Sequence, residues 1–299
     1  MRKFLRHILL GILALSVVSG SVGAWIYYDQ VLQNPGDHLQ REAIVKSMSR
    51  ESPVFYRDAK TQMNVLFQDG HRIYVGTEEL PEDWIKAITS AEDQRFFEHL
   101  GVDPKGIARA IVQNVLAGRI VSGASTLSQQ TAKNLFNRPD RSFRSKLEEA
   151  NNALRLEHYY SKKEILEFYA NQFHVTGNGR GIGIAARYLF DKEVDELNLL
   201  ECAYIAGMVK GPSLYDPFHS NIERRERNIK RAHDRVDYVL QKMYEQDHIS
   251  EAVKNALQKE EIPFKRGTFR YGKSSVVDEV VKRLEYSPFP EIFEEYNID

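Results

Sequence analysis

In the stretch 91–110, AEDQRFFEHLGVDPKGIARA, a carboxylate interrupts what otherwise reads as a buried helix. At about 3.6 residues per turn, Ile85, Ile88, Glu92, Phe96 and His99 fall in one narrow arc, so Glu92 stands in an apolar stripe and Asp93 points elsewhere. Apolar neighbours disfavour the charged form of a carboxylate, which suits Glu92 to accept and return a proton near neutral pH. The competing assignment puts it at the edge of the stripe, snorkelling to water or capping a loop. Further along, SGASTLSQQTAKNLF offers Ser125 or Thr126 as a helix cap, with Gln129 spaced to close a capping box on Thr126 and Lys133 one turn above Gln129. In SKLEEA, Ser145 and Lys146 precede Glu149 by four and three residues and share its helical face.

The elements that must position these groups are mostly helical. Asp103-Pro104 caps and opens a helix whose Ile107, Ile111 and Val115 form one apolar side before Gly118 stops it. A longer helix is expected from about Arg144 to Tyr160, and Ser161 with Glu164 makes a second capping box. TGNGRGIG at 176–183 is glycine-rich but follows a helix rather than a strand, which argues against a nucleotide site. Asn198 with Glu201 caps a helix reaching Gly211-Pro212, and YDPF marks a domain edge. Beyond it, a helix carries Ile222, Ile229, Val236, Leu240 and Met243 on one face and six basic residues between Arg224 and Arg235 on the other, a face that is solvated or touches acidic lipid headgroups. TQMNVLF and HRIYVG, flanking Gln68-Asp69-Gly70, read as a small hairpin.

Arg2, Lys3, Arg6 and His7 precede an uncharged run from Ile8 to Tyr28, long enough to span a bilayer that needs roughly 20 helical residues. A single-pass signal anchor in the plasma (inner) membrane follows, with the remaining chain extracytoplasmic or periplasmic; SGSVGA at 19–24 leaves a cleaved signal peptide as the alternative. With 299 residues the chain holds one or two domains, and 41 basic against 42 acidic side chains give no electrostatic footprint for nucleic acid. The single cysteine, Cys202 in LLECAYIAGMV, cannot form an internal disulfide, and no zinc-type spacing exists.

EDQRFFEHLGVDPKGIARA, SGASTLSQQTAKN, SKLEEA, SKKEILEFYANQ and RGIGIAARYLFDK stand in the order and spacing of the five motifs of peptidoglycan glycosyltransferases. The sequence therefore resembles glycosyltransferase family 51, the polymerising domain of class A penicillin-binding proteins and of monofunctional transglycosylases. The likeness covers roughly 66–218; with the anchor (1–28) and a polar stalk (29–60) containing a short helix near Gln40 to Met48, the chain divides further into a glycosyltransferase domain (61–218) and a helical extension (219–299) that resembles the linker to a transpeptidase domain. It implies a mainly α, lysozyme-like, two-lobed fold and an enzyme that joins lipid II units into glycan strands, with undecaprenyl pyrophosphate as leaving group. Glu92 matches the family's catalytic base. Glu149 matches a second carboxylate that orients substrate or helps coordinate a divalent ion, Mg2+ or Mn2+, near the pyrophosphate. Ser125, Gln129, Gln130, Lys133, Asn134, Arg141 and Lys146 match polar positions lining the donor site. The piece Ile111 to Val121 resembles the family segment that dips into the bilayer. His99, Glu164, Asn171 and Arg180 read as structural. The implied partners are lipid II, the growing strand, membrane lipids and cell-wall synthesis proteins; no organic cofactor is implied.

Two other assignments stay open: a lysozyme-like enzyme that cuts glycan, and a noncatalytic membrane scaffold derived from the polymerase. The second draws on departures from the family pattern at Ala124, Ala170 and Ser145, the last standing where the third motif usually has arginine. No S-x-x-K or K-T-G occurs, so penicillin binding is not expected of these residues.

Overall fold

The computed structural model describes residues 20–21, 25, 27–33, 39–48, 51–55, 62–67, 71–119, 123–136, 142–176 and 179–267. In chain order, a π-helical turn at Tyr28–Leu32 precedes α1 (Arg41–Met48), β1 (Glu51–Phe55), β2 (Gln62–Phe67), β3 (His71–Arg72), α2 (Glu82–Glu92), α3 (Pro104–Ala117), α4 (Leu127–Leu135), α5 (Phe143–Tyr159) and α6 (Lys162–Ala170). Then come β4 (His174–Thr176), β5 (Gly179–Arg180), α7 (Gly181–Phe190), α8 (Leu199–Met208), α9 (Pro212–Tyr215), α10 (Ile222–Glu245) and α11 (Glu251–Leu257). The chain is mainly helical and divides into two compact units, Met1–Ala43 with Glu98–Ile165, and Ile44–Phe97 with Leu166–Asp299.

In the first unit α4 packs on α5. Thr126 caps α4 as its spacing predicts, its hydroxyl accepting from the Gln129 N–H at 3.1 Å while the Gln129 side chain accepts from the Thr126 N–H at 3.0 Å. The segment before α1 is tied to the far end of α5, Tyr159 donating to the Val31 carbonyl at 3.1 Å and Tyr160 to that of Leu39, and the start of α1 is tied to α6 by the Arg41–Glu164 pair at 3.0 Å. Pro104 opens α3 and Gly118 ends it, but the apolar side is not packed: Ile111 and Val115 are 58% and 74% exposed.

In the second unit α8 is apolar on every side and buried throughout, the pattern of a helix enclosed by others. It lies against α2 and α10, which also touch each other. Asn198 and Glu201 cap it reciprocally at 3.0 and 2.9 Å. Burial pushes the Cys202 thiol up to about 12, so the lone cysteine is an inert core residue. The glycine-rich loop serves close packing. Gly181 sits at φ +84°, where a Cβ would meet the Ala170 carbonyl at 2.9 Å, so only glycine lets α7 begin there.

The expected hairpin does not form. β2 pairs antiparallel with β1, Glu51 opposite Phe67, and β3 pairs in parallel with β5, His71 opposite Gly179. Alternating β-type residues specify a strand but not its partner, and here ESPVF and the glycine-rich loop supply the partners. Among the described residues no helix is long and apolar enough to cross a membrane; most of the anchor read over 8–28 lies outside them.

Candidate active site

The residues singled out by the sequence stand in two groups, one in each compact unit. α2 stops at Glu92 because Asp93 leaves the helical region (φ −155°, ψ 75°) while its N–H still bonds to the Thr89 carbonyl at 2.9 Å. Phe96 and His99 therefore do not continue the stripe as a single helix; they belong to the turn that follows, in which the Phe96 N–H bonds to the Asp93 carbonyl at 2.9 Å. Periodicity overran a backbone break that a lone aspartate does not announce.

Glu92 is neither in wholly apolar surroundings nor out in water. Its Oε1 lies 2.7 Å from a guanidinium nitrogen of Arg235 on α10, the two side chains being 18% and 10% exposed. Arg235 also donates from Nε to the Gly207 carbonyl of α8 at 3.0 Å, and its guanidinium sits over the Tyr238 ring, 4.7 Å from the centroid. Tyr169 of α6 is fully buried nearby. Burial drives its hydroxyl well above the usual phenol range, Glu92 adds to the shift, and Arg235 opposes it.

In the first unit, Ser142 caps α5 by accepting from the Ser145 N–H at 3.2 Å. One turn on, Lys146 donates to Ser125 Oγ at 2.8 Å and forms an ion pair with Glu149. Ser125, Lys146 and Glu149 are thus brought together, with Lys146 half exposed and Glu149 mostly covered. Arg144 turns away and pairs with Glu148 at 3.3 Å. On α4, Lys133 is exposed, Gln130 and Asn134 are half-buried, and Gln129 is buried with its amide oxygen in the cap. Arg141 lies outside the described residues.

Within the first unit a set of hydrogen bonds ties residues 99–101 to α4, α5 and α6. His99 Nδ1 accepts from the Gly101 N–H at 3.2 Å, and the His99 carbonyl accepts from Lys162 at 2.6 Å. Lys162 pairs with buried Glu157 at 2.7 Å, Ser128 donates to the same carboxylate, and Thr126 donates to the Gly101 carbonyl at 2.6 Å. Glu164 and Asn171 hold backbone in place: Glu164 accepts from the Ser161 N–H at 2.9 Å, and Asn171 exchanges bonds with the backbone of Val75 at 2.9 and 2.8 Å. Arg180 donates to the Gln172 carbonyl at 3.4 Å.

A protein-held divalent ion needs several oxygen ligands. Among the described residues no three His, Cys, Asp or Glu side chains gather to hold one, and Glu149 already faces an ammonium. Among the described residues, these side chains do not form a metal site of their own.

Sequence reasoning missed Arg235, counted with the solvated basic face. The signal was there: Arg235 lies within about 60° of Asn228, Ala232 and Val239 around the helix axis, and all three are buried.

Chemically, a carboxylate held against a buried arginine can take a proton from a hydroxyl, and a lysine–serine–glutamate group at a helix start can receive an anion. A family model described as transglycosylase matches residues 59–244. Penicillin-binding protein 1A of Aquifex aeolicus is 32% identical over 289 residues, 96% of this chain and 38% of that protein. Penicillin-binding protein 1A of Escherichia coli is 34% identical over 251 residues, 83% of this chain and 28% of that protein. A crystal structure of penicillin-binding protein 1A from Haemophilus influenzae aligns over 79% of this chain and 24% of that one, at 21% identity and TM-score 0.43. The chain belongs to the transglycosylase family, the glycosyltransferase domain of class A penicillin-binding proteins. It spans roughly a third of the length of these curated relatives.

Proposed function

We propose that this protein polymerises lipid II into glycan strands of the cell wall by inverting glycosyl transfer. The observation that carries the reading is Glu92, a mostly buried carboxylate fixed at a helix end by Arg235 in a chain of the transglycosylase family. An acceptor sugar hydroxyl is a poor nucleophile. As its oxygen bonds to the anomeric carbon of the donor, its proton passes to Glu92 and the bond from that carbon to the pyrophosphate oxygen breaks, turning α to β. The electron pair leaves with undecaprenyl pyrophosphate. Lys146, Lys133 and the N-terminus of α5 are suited to bear its charge, and Ser125 and Glu149 to orient the lysine. Gln130 and Asn134 of α4 are assigned to the donor sugar, and Arg141 to the pyrophosphate.

The substrate carries a lipid tail, so the enzyme works at a bilayer. The exposed apolar side of α3 fits the headgroup boundary, and the run 8–28 is assigned as a single-pass anchor that leaves the catalytic domain outside the cytoplasm. Cell-wall synthesis proteins are the expected partners. Incubation with fluorescently labelled lipid II tests the reading directly. Long chains are expected; shortening of preformed glycan would assign a lysozyme-like hydrolase instead, and an inert protein would assign a scaffold.

A further inference from the structure

We infer that Arg235 is the positioning residue of the catalytic base: from α10 it fixes the Glu92 carboxylate in place and in its proton-accepting form, so the helix after YDPF is part of the catalytic apparatus. The inference rests on the reading of Glu92 as base. The exposed basic residues of α10 are Arg224, Arg225, Arg227, Lys230 and Arg231; Arg235 instead runs inward, 10% exposed, between α2 and α8. A buried charge is tolerated only when paired and hydrogen-bonded, and here one guanidinium meets a carboxylate, a backbone carbonyl and an aromatic face.

Gly207 makes that path possible. A Cβ at 207 would stand 3.0 Å from Arg235 Cγ and 3.4 Å from Val239 Cγ2, so any side chain there presses on the arginine stem. α8 thus supplies both the space and the carbonyl that aim the guanidinium at Glu92.

Few other groups on the packed elements can set the charge of Glu92. Tyr169 from α6 stays a neutral phenol, since burial holds its proton. On α8, Glu201 is paired with Lys192, and Cys202 feels Asp83 of α2 rather than Glu92. On α2, Lys86 acts on His248, and Asp93 follows Glu92 at the helix end. Among the described residues, Arg235 is a cation in direct contact with the Glu92 carboxylate. A neighbouring cation favours the ionised carboxylate and burial disfavours it, so without Arg235 Glu92 should hold its proton to higher pH. A general base works only when deprotonated, so the acid limb of kcat/KM should move upward.

The test is the pH profile of kcat/KM on labelled lipid II for the full chain and its Arg235→Met, Arg235→Lys, Gly207→Ala and Glu92→Gln variants. Arg235→Met should lose about 100-fold and shift its acid limb up by about one pH unit. Arg235→Lys should keep the limb near its original place with an intermediate rate, and Gly207→Ala should shift it in the same direction but less. A merely structural arginine would lower the melting temperature and leave the limb where it was. An unshifted limb in Arg235→Met, with Glu92→Gln inactive, overturns this inference and leaves the base assignment standing. Activity in Glu92→Gln removes the base assignment itself. If Arg235→Met does not fold, Gly207→Ala decides: a shifted limb supports the inference and a wild-type profile overturns it.

Discussion

The two carboxylates read as catalytic are held in opposite ways. Glu92 ends α2 and is fixed by an arginine 143 residues away in sequence, itself anchored to a third helix. Glu149 is held by Lys146, three residues before it on the same helix, through an ammonium that is half exposed. The first arrangement is tertiary with both partners largely covered; the second is local, its glutamate covered and its lysine half exposed. A proton acceptor gains from rigidity, because its catalytic bond must form at one point in space. A lysine that will meet a substrate anion gains from being able to exchange partners, and half-exposed ion pairs exchange at little cost. Under the proposed function, the first arrangement serves proton transfer and the second the placement of charge.

The largest effect should come from Glu92→Gln, which keeps the shape and a hydrogen-bond acceptor for Arg235 but removes the base. Polymerisation should fall on the order of 10² to 10⁴-fold, with unchanged circular dichroism; near wild-type chain formation would end the assignment. Next is Glu149→Gln, which frees Lys146 without touching the base. We expect a loss of about 10 to 100-fold in kcat/KM, mostly through KM and steeper in salt than the Glu92 defect. A purely kcat effect would place Glu149 in the chemical step and erase the contrast.

The smallest effect concerns Ser145, where the family usually has arginine. Ser145 lies in the first turn of α5 on the face of Lys146 and Glu149, and Arg144 cannot stand in for the missing cation because it lies about 140° from Glu149 around the helix axis. A partly exposed charge contact contributes about 1 kcal/mol, so Ser145→Arg should raise kcat/KM a few-fold, with a gain that shrinks as salt increases. Lower activity in this variant would put position 145 away from the pyrophosphate.

Legibility in the sequence followed the range of the interaction. The reciprocal caps at Thr126–Gln129, Ser161–Glu164 and Asn198–Glu201 depend on residues three apart, and they form as their spacing implies. The group Ser125–Lys146–Glu149 was half legible: the lysine and glutamate share a helical face, but the serine 21 residues earlier reaches the lysine only in the folded unit. The strand partners were not legible, because two-residue ladders such as His71–Arg72 with Gly179–Arg180 are chosen by the surrounding packing. Nor was the end of α2, where an apolar period of 3.6 ran on through Phe96 although the backbone turned at Asp93. Arg235 was the costliest omission. Its charge was counted and its position on the buried row of α10 was not.

The central claim is that Glu92 supplies the base and little of the binding. Titrating labelled lipid II into the wild type and the Glu92→Gln variant, with turnover followed in the same samples, tests it most directly. The dissociation constants should agree within about twofold, and the variant rate should be lower by at least about 100-fold. A variant that binds as weakly as it turns over, or that still builds chains at the wild-type rate, contradicts it.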